Sequence, residues 1–352
     1  MENKSSGLNI ELGNASSKVA FEHAKSTYHL REGRRGAIGQ QTDGSFSNIV
    51  IFGNERIGIA SDGVGTKMEL AERTGIYDTM GYDLVAMVAD DLVTAGFEPS
   101  NITNVIDVNL IDQEIINQMM AGFAKACSFA GMAITGGEIA ELGNRVGGFG
   151  PNMHINWSST AIGFLSEKRT LITGANIQTD DVVIALKSRG FRSNGFSLIR
   201  KIMEQQYGDQ WHFEQYDDKT TWGKKLLTPS LIYTPLINQI LDAAIPISGI
   251  AHITGGGIQD NFNRALKASS KGAILNNLFE PLDVMKRIQK LGKVSDEDAY
   301  TYWNMGNGML LTVPPTYEEK ILLMAQSLDY QAKIAGKITN SDTVHLEHLS
   351  AE

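Results

Sequence analysis

Ser61-Asp62-Gly63-Val64-Gly65-Thr66-Lys67 packs an acid, two glycines, a hydroxyl and a lysine into one short stretch. That mixture suits a polyphosphate with its metal. The carboxylate serves Mg²⁺, the glycines let backbone approach closely, and the ammonium meets phosphate oxygens. It is not a Walker A loop, which needs Gly-x-x-x-x-Gly-Lys-Ser/Thr; no such string occurs in the chain. A tight turn with a solvated lysine would hold the same residue types, so the loop needs partners before it means chemistry.

Asp91 is the first such partner. The spacing of Met80, Leu84, Met87, Val88 and Ala95 predicts a helix over 77–96, with Asp91 on its apolar side. A buried carboxylate without a partner is costly, so it calls for a cation or strong donors. Asp90 and Asp83 lie on neighbouring stripes, and an internal salt bridge or cap network is the alternative use of this acidic group. With Asp62, Asp91 makes the pair of carboxylates that Mg²⁺ commonly takes beside phosphate oxygens. Gly136-Gly137-Glu138 follows an expected strand at 132–135, with Glu141 a helical turn on. It reads as a third acidic edge of one phosphate and metal site, or else as a solvated loop glutamate.

Further along, Thr254-Gly255-Gly256-Gly257 precedes an expected helix at 259–266, where free N–H groups would suit a phosphate. A flexible turn is the plainer reading. His252 just before it is a core or a functional histidine. Ser193-Asn194-Gly195 likewise leads a helix, and Arg192 beside it fits phosphate or ribose contact. The glycine turn at 304–309 reads as a bend with close backbone packing.

The elements that must hold these residues are legible in outline. Gly53-Asn54 between strand-like runs at 48–52 and 55–60 signals a hairpin. A strand at 102–109 and a helix at 112–130, capped by Asp112 and stopped at Gly131, follow. Another strand is expected at 158–165. A polar stretch at 166–181 suggests a boundary. Beyond it come a strand at 182–187, a helix near 197–206, a helix starting at Thr228-Pro229, and a strand at 248–254. A strand at 309–313, a helix at 317–328 and a strand at 331–337 complete an α+β second half. The division expected is an arm over 1–48, a first domain over 49–168 and a second over 169–352. The arm carries a basic knot at Arg31, Arg34 and Arg35, and either orders on a ligand or partner or is a surface arm.

Composition narrows the class. At 352 residues the chain has ample length for two cores. Its net charge of -9 argues against nucleic acid or anionic membrane as the main partner, while leaving local phosphate binding open. The single cysteine, Cys127, excludes an internal disulfide or a multi-cysteine zinc site and has the spacing of a packed thiol. No apolar leader or membrane-length run is visible, so the cytoplasm is the expected compartment.

Taken together, these strings resemble the phosphoribosylformylglycinamidine cyclo-ligase (aminoimidazole ribonucleotide synthetase) family. The match runs through Asp62-Gly-Val-Gly-Thr-Lys67, Gly81-Tyr-Asp-Leu-Val-Ala-Met87, Asp91-Leu-Val, Gly136-Gly-Glu-Ile-Ala-Glu141, Ser193-Asn-Gly-Phe-Ser-Leu198 and Ile250-Ala-His-Ile-Thr-Gly-Gly-Gly257, in family order. Gly7-Leu-Asn-Ile-Glu-Leu-Gly-Asn14 echoes its N-terminal signature. The resemblance implies an α/β N-terminal domain that dimerises through its sheet and an α+β C-terminal domain. It implies ATP in a cleft completed by the homodimer, Mg²⁺ on Asp62 and Asp91, and Lys67, Asp91 and Glu138 as catalytic groups. It further implies phosphate contacts from Asp62, Gly63, Gly65, Thr66, Lys67, Gly136 and Gly137. Substrate contacts would come from Arg192, Ser193, Asn194, His252, Thr254 and Gly255, Gly256 and Gly257. The family phosphorylates a formyl amide oxygen with ATP, and an amidine nitrogen then closes an imidazole ring in purine biosynthesis.

Some positions depart from the family pattern. The glycine-rich N-terminal loop is Gly33-Arg-Arg-Gly-Ala-Ile-Gly39, the Met-Pro-Gly-x-Tyr after Glu141 is replaced by Leu142-Gly143-Asn144-Arg145, Asn156 stands for an Asp, and Arg192 stands for a His. Two other readings follow: a paralogue that activates a different amide or carbonyl, and a nucleotide-binding dimer without turnover.

Overall fold

The computed structural model describes residues 10–39 and 45–347; the start of the N-terminal signature at 7–9 falls outside them. A helix, α1 (Ile10–Lys25), opens the described chain, exposed at residues 12–13 and 15–25, and β1 (Ala37–Ile38) follows. The hairpin forms as the Gly53-Asn54 signal predicts, from β2 (Asn48–Phe52) and β3 (Glu55–Gly63). Next come α2 (Met68–Thr74), α3 (Met80–Thr94), β4 (Glu98–Val108), α4 (Gln113–Ala130), β5 (Ala133–Glu141) and β6 (Ile155–Phe164). The strands form one sheet in the order β1-β2-β3-β6-β4-β5. So β1, from the expected arm, belongs to the first sheet. Asp112 caps α4 by accepting from the Glu114 and Ile115 amides, and Gly131 ends it in the left-handed conformation.

One face of this sheet is covered by α3 and α4. Gly58 and Ala60 of β3, Asn104 and Ile106 of β4, and Trp157 and Ser159 of β6 all point to that face and are buried. The period of two sends Ile57, Ile59, Val105, Ile162 and Phe164 to the other face. Among the described residues no helix covers that side, and Val105 and Phe164 are exposed.

The second half runs β7 (Val182–Lys187), α5 (Phe196–Tyr207), the small hairpin β8 (Gln215–Asp217) and β9 (Thr220–Thr221), α6 (Trp222–Leu226), α7 (Thr234–Asp242), β10 (Gly249–His252) and α8 (Gly257–Leu266). It closes with β11 (Gly272–Leu275), α9 (Asp283–Gly292), α10 (Asp296–Tyr302), β12 (Asn307–Val313), α11 (Glu318–Ser327), β13 (Ala332–Thr339) and β14 (Val344–Leu346). Its sheet has the order β10-β12-β7-β13-β11-β14. The central strands β7 and β12 are buried almost throughout, as their unbroken apolar runs require.

The helix expected at Thr228-Pro229 does not start there. Residues 228–233 are irregular, and α7 starts at Thr234, with Pro235 in its first turn. The same Thr-Pro signal occurs twice, and tertiary bonds decide between them: the Thr228 carbonyl takes the Lys67 ammonium, and the Ser230 and Tyr233 amides are spent on Asp83 and Asp90 of α3 in the first half.

Candidate active site at the domain junction

Helix α3 is buried along nearly its whole length and carries three aspartates. Asp83 and Asp90 are seven apart, hence two turns along one stripe. Each is gripped by the other half of the molecule. Asp83 takes the Lys67 ammonium at 2.8 and 2.9 Å, the Ser230 amide at 3.1 Å and the Ser230 hydroxyl at 2.5 Å. Asp90 Oδ1 accepts from the Tyr233 and Thr234 amides at 2.9 and 3.0 Å and from the Thr234 hydroxyl at 3.1 Å; its Oδ2 takes Arg192 at 3.0 Å.

This corrects the role expected for Lys67. Its side chain is 0% exposed, and besides Asp83 it donates to the Thr228 carbonyl at 2.9 Å. With its donors spent inside the protein, it is a strut between the halves rather than a ligand for a phosphate. Burial pushes the Lys67 pKa down and the Asp83 pKa up, each opposed by the other's charge.

Asp91 is different. Its side chain keeps 17% of its surface, and Oδ1 lies 2.7 Å from His252 Nδ1. The other ring nitrogen, Nε2, lies 2.6 Å from an Arg192 NH2 group. A guanidinium only donates. Nε2 therefore accepts, and the proton is on Nδ1, pointing at Asp91. His252 is wholly enclosed, and burial with the Arg192 charge lowers its pKa to about 3, so the ring is neutral. Burial pushes Asp91 up to about 8, against the pull of Arg264 and Arg192.

The substrate contacts expected from His252 and Arg192 are corrected on the same ground. Arg192 is 1% exposed, donates a further bond to the Leu231 carbonyl at 2.9 Å, and takes a left-handed backbone with φ 62. Both groups act within the protein, behind Asp91.

Asp62, next to the last residue of β3, is on the sheet face that meets α3, where the Asp91 charge reaches it. Desolvation pushes its carboxyl up to about 6, the Gly63 amide at 2.7 Å pulls it down, and the Asp91 charge raises it again. Two carboxylates that repel across a gap, each with oxygen ligands to offer, fit a hard divalent cation. Among the described residues no cluster of three or more metal-type side chains occurs, so such an ion would use this pair with phosphate and water oxygens. Val64 and Gly65 turn the chain away, leaving Gly65 and Thr66 exposed beside the pair.

From the second half come two loops. Ser193 Oγ and Asn194 Oδ1 are buried atoms that lack a hydrogen-bond partner among the described residues, directly ahead of α5. Gly255–Gly257 runs into α8, with Gly256 and Gly257 in the left-handed region at φ 93 and 68 and no side chain capping the first turn. Asn261 holds that loop through the carbonyls of Thr254, Gly255 and Gly257 at 3.4, 3.1 and 2.7 Å. A cavity of about 550 Å³ adjoins Gly65 and Thr66 and is also lined by Arg145, Asn156 and Arg200.

Glu138 does not join this group within one chain. Gly136, Gly137 and Glu138 lie inside β5, not in a loop after it. Gly137 pairs with Asn104, and the Gly136 carbonyl is taken by Thr103 and Asn104 at 3.0 and 3.3 Å. Glu138 pairs with Val105, which points away from the helices, so the pleat turns Glu138 from Asp62 and Asp91. Strand β5 is also three places from β3 in the sheet, about 14 Å at the usual strand spacing.

Sequence reasoning missed Arg264, whose charge reaches Asp91 and His252. It stacks on Phe46 at 4.2 Å and donates to the Ser45 carbonyl, fastening the end of the arm beside the site. A lone arginine on an amphipathic helix gives no periodic signal. Ser230, Tyr233 and Thr234 were missed because their use is tertiary.

Two halves of mixed α and β structure clasping an acidic helix, with facing carboxylates and glycine loops beside it, define a two-domain protein with a candidate site at the domain junction. The models of AIR synthase related protein match here, the N-terminal domain over residues 47–165 and the C-terminal domain over 178–348, and the chain belongs to that family. Phosphoribosylformylglycinamidine cyclo-ligase of Picosynechococcus is 34% identical over 320 residues, 89% of this chain and 90% of that protein. The enzyme of the same name from Thermoplasma acidophilum is 35% identical, covering 86% of each, and the chloroplastic one of Arabidopsis thaliana is 32% identical over 86% of this chain and 76% of that protein. Thiamine-monophosphate kinase of Stenotrophomonas maltophilia shares the fold with a TM-score of 0.62 at 16% identity, covering 92% and 95% of the two chains. AaThiL complexed with AMPPCP and TMP does so at 0.59 and 14%, covering 88% and 89%.

Proposed function

We propose that this chain is a phosphoribosylformylglycinamidine cyclo-ligase of purine biosynthesis, using ATP to activate the formyl amide oxygen of formylglycinamidine ribonucleotide. The observation that carries the reading is the Asp62–Asp91 pair at the junction, to which the second half connects through His252 and Arg192, the residues just ahead of the α8 glycines and of Ser193-Asn194. Relatives of that name span most of the chain at about a third identity.

The chemistry asked of the protein is modest. An amide oxygen leaves only once phosphorylated, and phosphoryl transfer needs alignment and charge stabilisation more than covalent help. The transferred phosphoryl goes to the amide oxygen with release of ADP. The amidine nitrogen attacks the same carbon, and the C–O bond breaks as phosphate leaves. Asp62 and Asp91 would hold Mg²⁺, which supplies neutralisation of the phosphate charge. Ser193, Asn194 and the Gly255 and Gly256 amides, with Thr254 beside them, would hold phosphate or sugar oxygens; the Gly257 amide is instead donated to the Thr254 carbonyl at 3.1 Å and keeps the loop turned. Gly63, Gly65 and Thr66 would line the nucleotide side. A homodimer in the cytoplasm goes with this reading; the uncovered apolar face of the first sheet supplies its interface, and Glu138, turned to that face, would serve the partner's nucleotide.

The test is ATP turnover with formylglycinamidine ribonucleotide, following ADP and the imidazole product together. Coupled appearance of both supports the proposal. Turnover only on another amide would favour a paralogue, and nucleotide binding without turnover on any amide would favour a binding module.

A further inference from the structure

Asp90 and Asp91 are adjacent on α3, yet the second half reaches both through one connected pair of side chains. Arg192 donates to Asp90 at 3.0 Å and to His252 Nε2 at 2.6 Å, and His252 Nδ1 donates to Asp91 Oδ1 at 2.7 Å. Among the described residues no hydrogen bond reaches Asp91 Oδ2, the oxygen left for a ligand. We propose that Arg192 is a positioning residue: by fixing the tautomer and plane of His252, it sets the direction in which Asp91 presents its free oxygen to the divalent cation. This rests on the metal role given to Asp91 above.

The physical case has three parts. First, Nε2 can satisfy Arg192 only as an acceptor, which leaves a single tautomer available to the ring. Metal-binding groups held by such an outer partner gain a fixed orientation. Second, the planar guanidinium reaches Asp90, His252 and the Leu231 carbonyl at once. Lysine presents a point charge that cannot reproduce that fork. Third, Asp90 does not need Arg192 to hold the halves together, because its Oδ1 keeps Tyr233 and Thr234. The left-handed backbone at Arg192 also departs from the ordinary range, as positions kept for function often do.

The experiment measures Mn²⁺ affinity by electron paramagnetic resonance, with a non-hydrolysable ATP analogue present, in the full-length protein and in Arg192→Met, Arg192→Lys and Asp91→Asn. The tautomer of His252 is read from its ¹⁵N ring shifts. The expected result is an Nδ1–H tautomer in the unmodified protein and a loss of about 10–100-fold in Mn²⁺ affinity in both Arg192 variants. Arg192→Lys decides the affinity question if Arg192→Met does not fold. An Nε2–H tautomer in the unmodified protein overturns the inference with no variant needed. Affinity unchanged in the Arg192 variants but lost in Asp91→Asn overturns it and leaves the metal reading standing. Affinity equal in the unmodified protein and Asp91→Asn overturns the metal reading itself.

Discussion

At the scale of single residues, the three aspartates of α3 divide cleanly by partner. Asp83 and Asp90 are saturated with donors, whereas Asp91 holds one neutral histidine and faces another carboxylate. Asp91→Asn retains an oxygen for the His252 Nδ1 proton, so the fold should survive while turnover falls by about 10²-fold or more; a steady-state assay beside a thermal melt decides. The sign of the pH effect follows from the raised values. A carboxyl whose folded pKa lies above 3.8 binds its proton more tightly when folded, so its stabilising effect is full below that pH. It is lost as pH rises through about 6 for Asp62 and about 8 for Asp91. Without a divalent cation the melting temperature should therefore fall between pH 5 and 8. The fall should be shallower in Asp91→Asn, and added Mg²⁺ should restore stability at pH 8 more than at pH 5. An equal response at both values would remove the carboxylate pair from the metal site. Lys67 makes the contrasting case. Lys67→Met strips the Lys67 ion pair from an enclosed Asp83 and should cost about 3–5 kcal/mol in urea unfolding, with Asp83→Asn in the same chain recovering part of it.

At the scale of elements, glycines mark where backbone must pass close. A Cβ at Gly257 would lie 1.8 Å from the Tyr300 carbonyl on a positive-φ residue, while one at Gly255 meets only Asn194 Nδ2 at 3.6 Å. Gly257→Ala should lose on the order of 3 kcal/mol in denaturant melts. Gly255→Ala should fold normally, and any rise in its KM then reports a ligand at that loop. Much of this was legible in sequence, because hairpin, cap and buried-strand signals are local. The Gly53-Asn54 turn, the Asp112 cap and the Gly131 stop all stand in the structure. What failed was tertiary. Thr228-Pro229 carries the same cap signal as Thr234-Pro235, and only the bonds to Asp83 and Lys67 show why the first is left uncoiled. Lys67 has the residue type and the motif of a phosphate ligand, and nothing local reveals that its ammonium is spent on α3. The run Gly136-Gly137-Glu138 looks like a loop because glycines usually make loops; here they fit the strand against Asn104.

At the scale of the whole molecule, the position of Glu138 turns a failed convergence into a statement about assembly. Its strand is at the edge of the first sheet, its side chain is exposed, and the pleat directs it with Val105 away from Asp62 and Asp91. For Glu138 to serve the partner's nucleotide, as proposed, a second copy is called for on the uncovered face, where Ile57, Ile59, Val105, Ile162 and Phe164 form an apolar band. A site shared in this way makes a sharp prediction about mixtures. Asp91→Asn and Glu138→Gln are each expected to be inactive as homodimers. In a heterodimer of the two, one site carries both defects and the other carries neither. Random reassociation of equal amounts makes half the dimers mixed, so activity should return to about a quarter of the unmodified level. If Glu138 serves its own chain, each site in the mixed dimer keeps one defect and no activity returns. Light scattering on the same samples fixes the mass, and a monomer that is fully active would remove the shared site altogether.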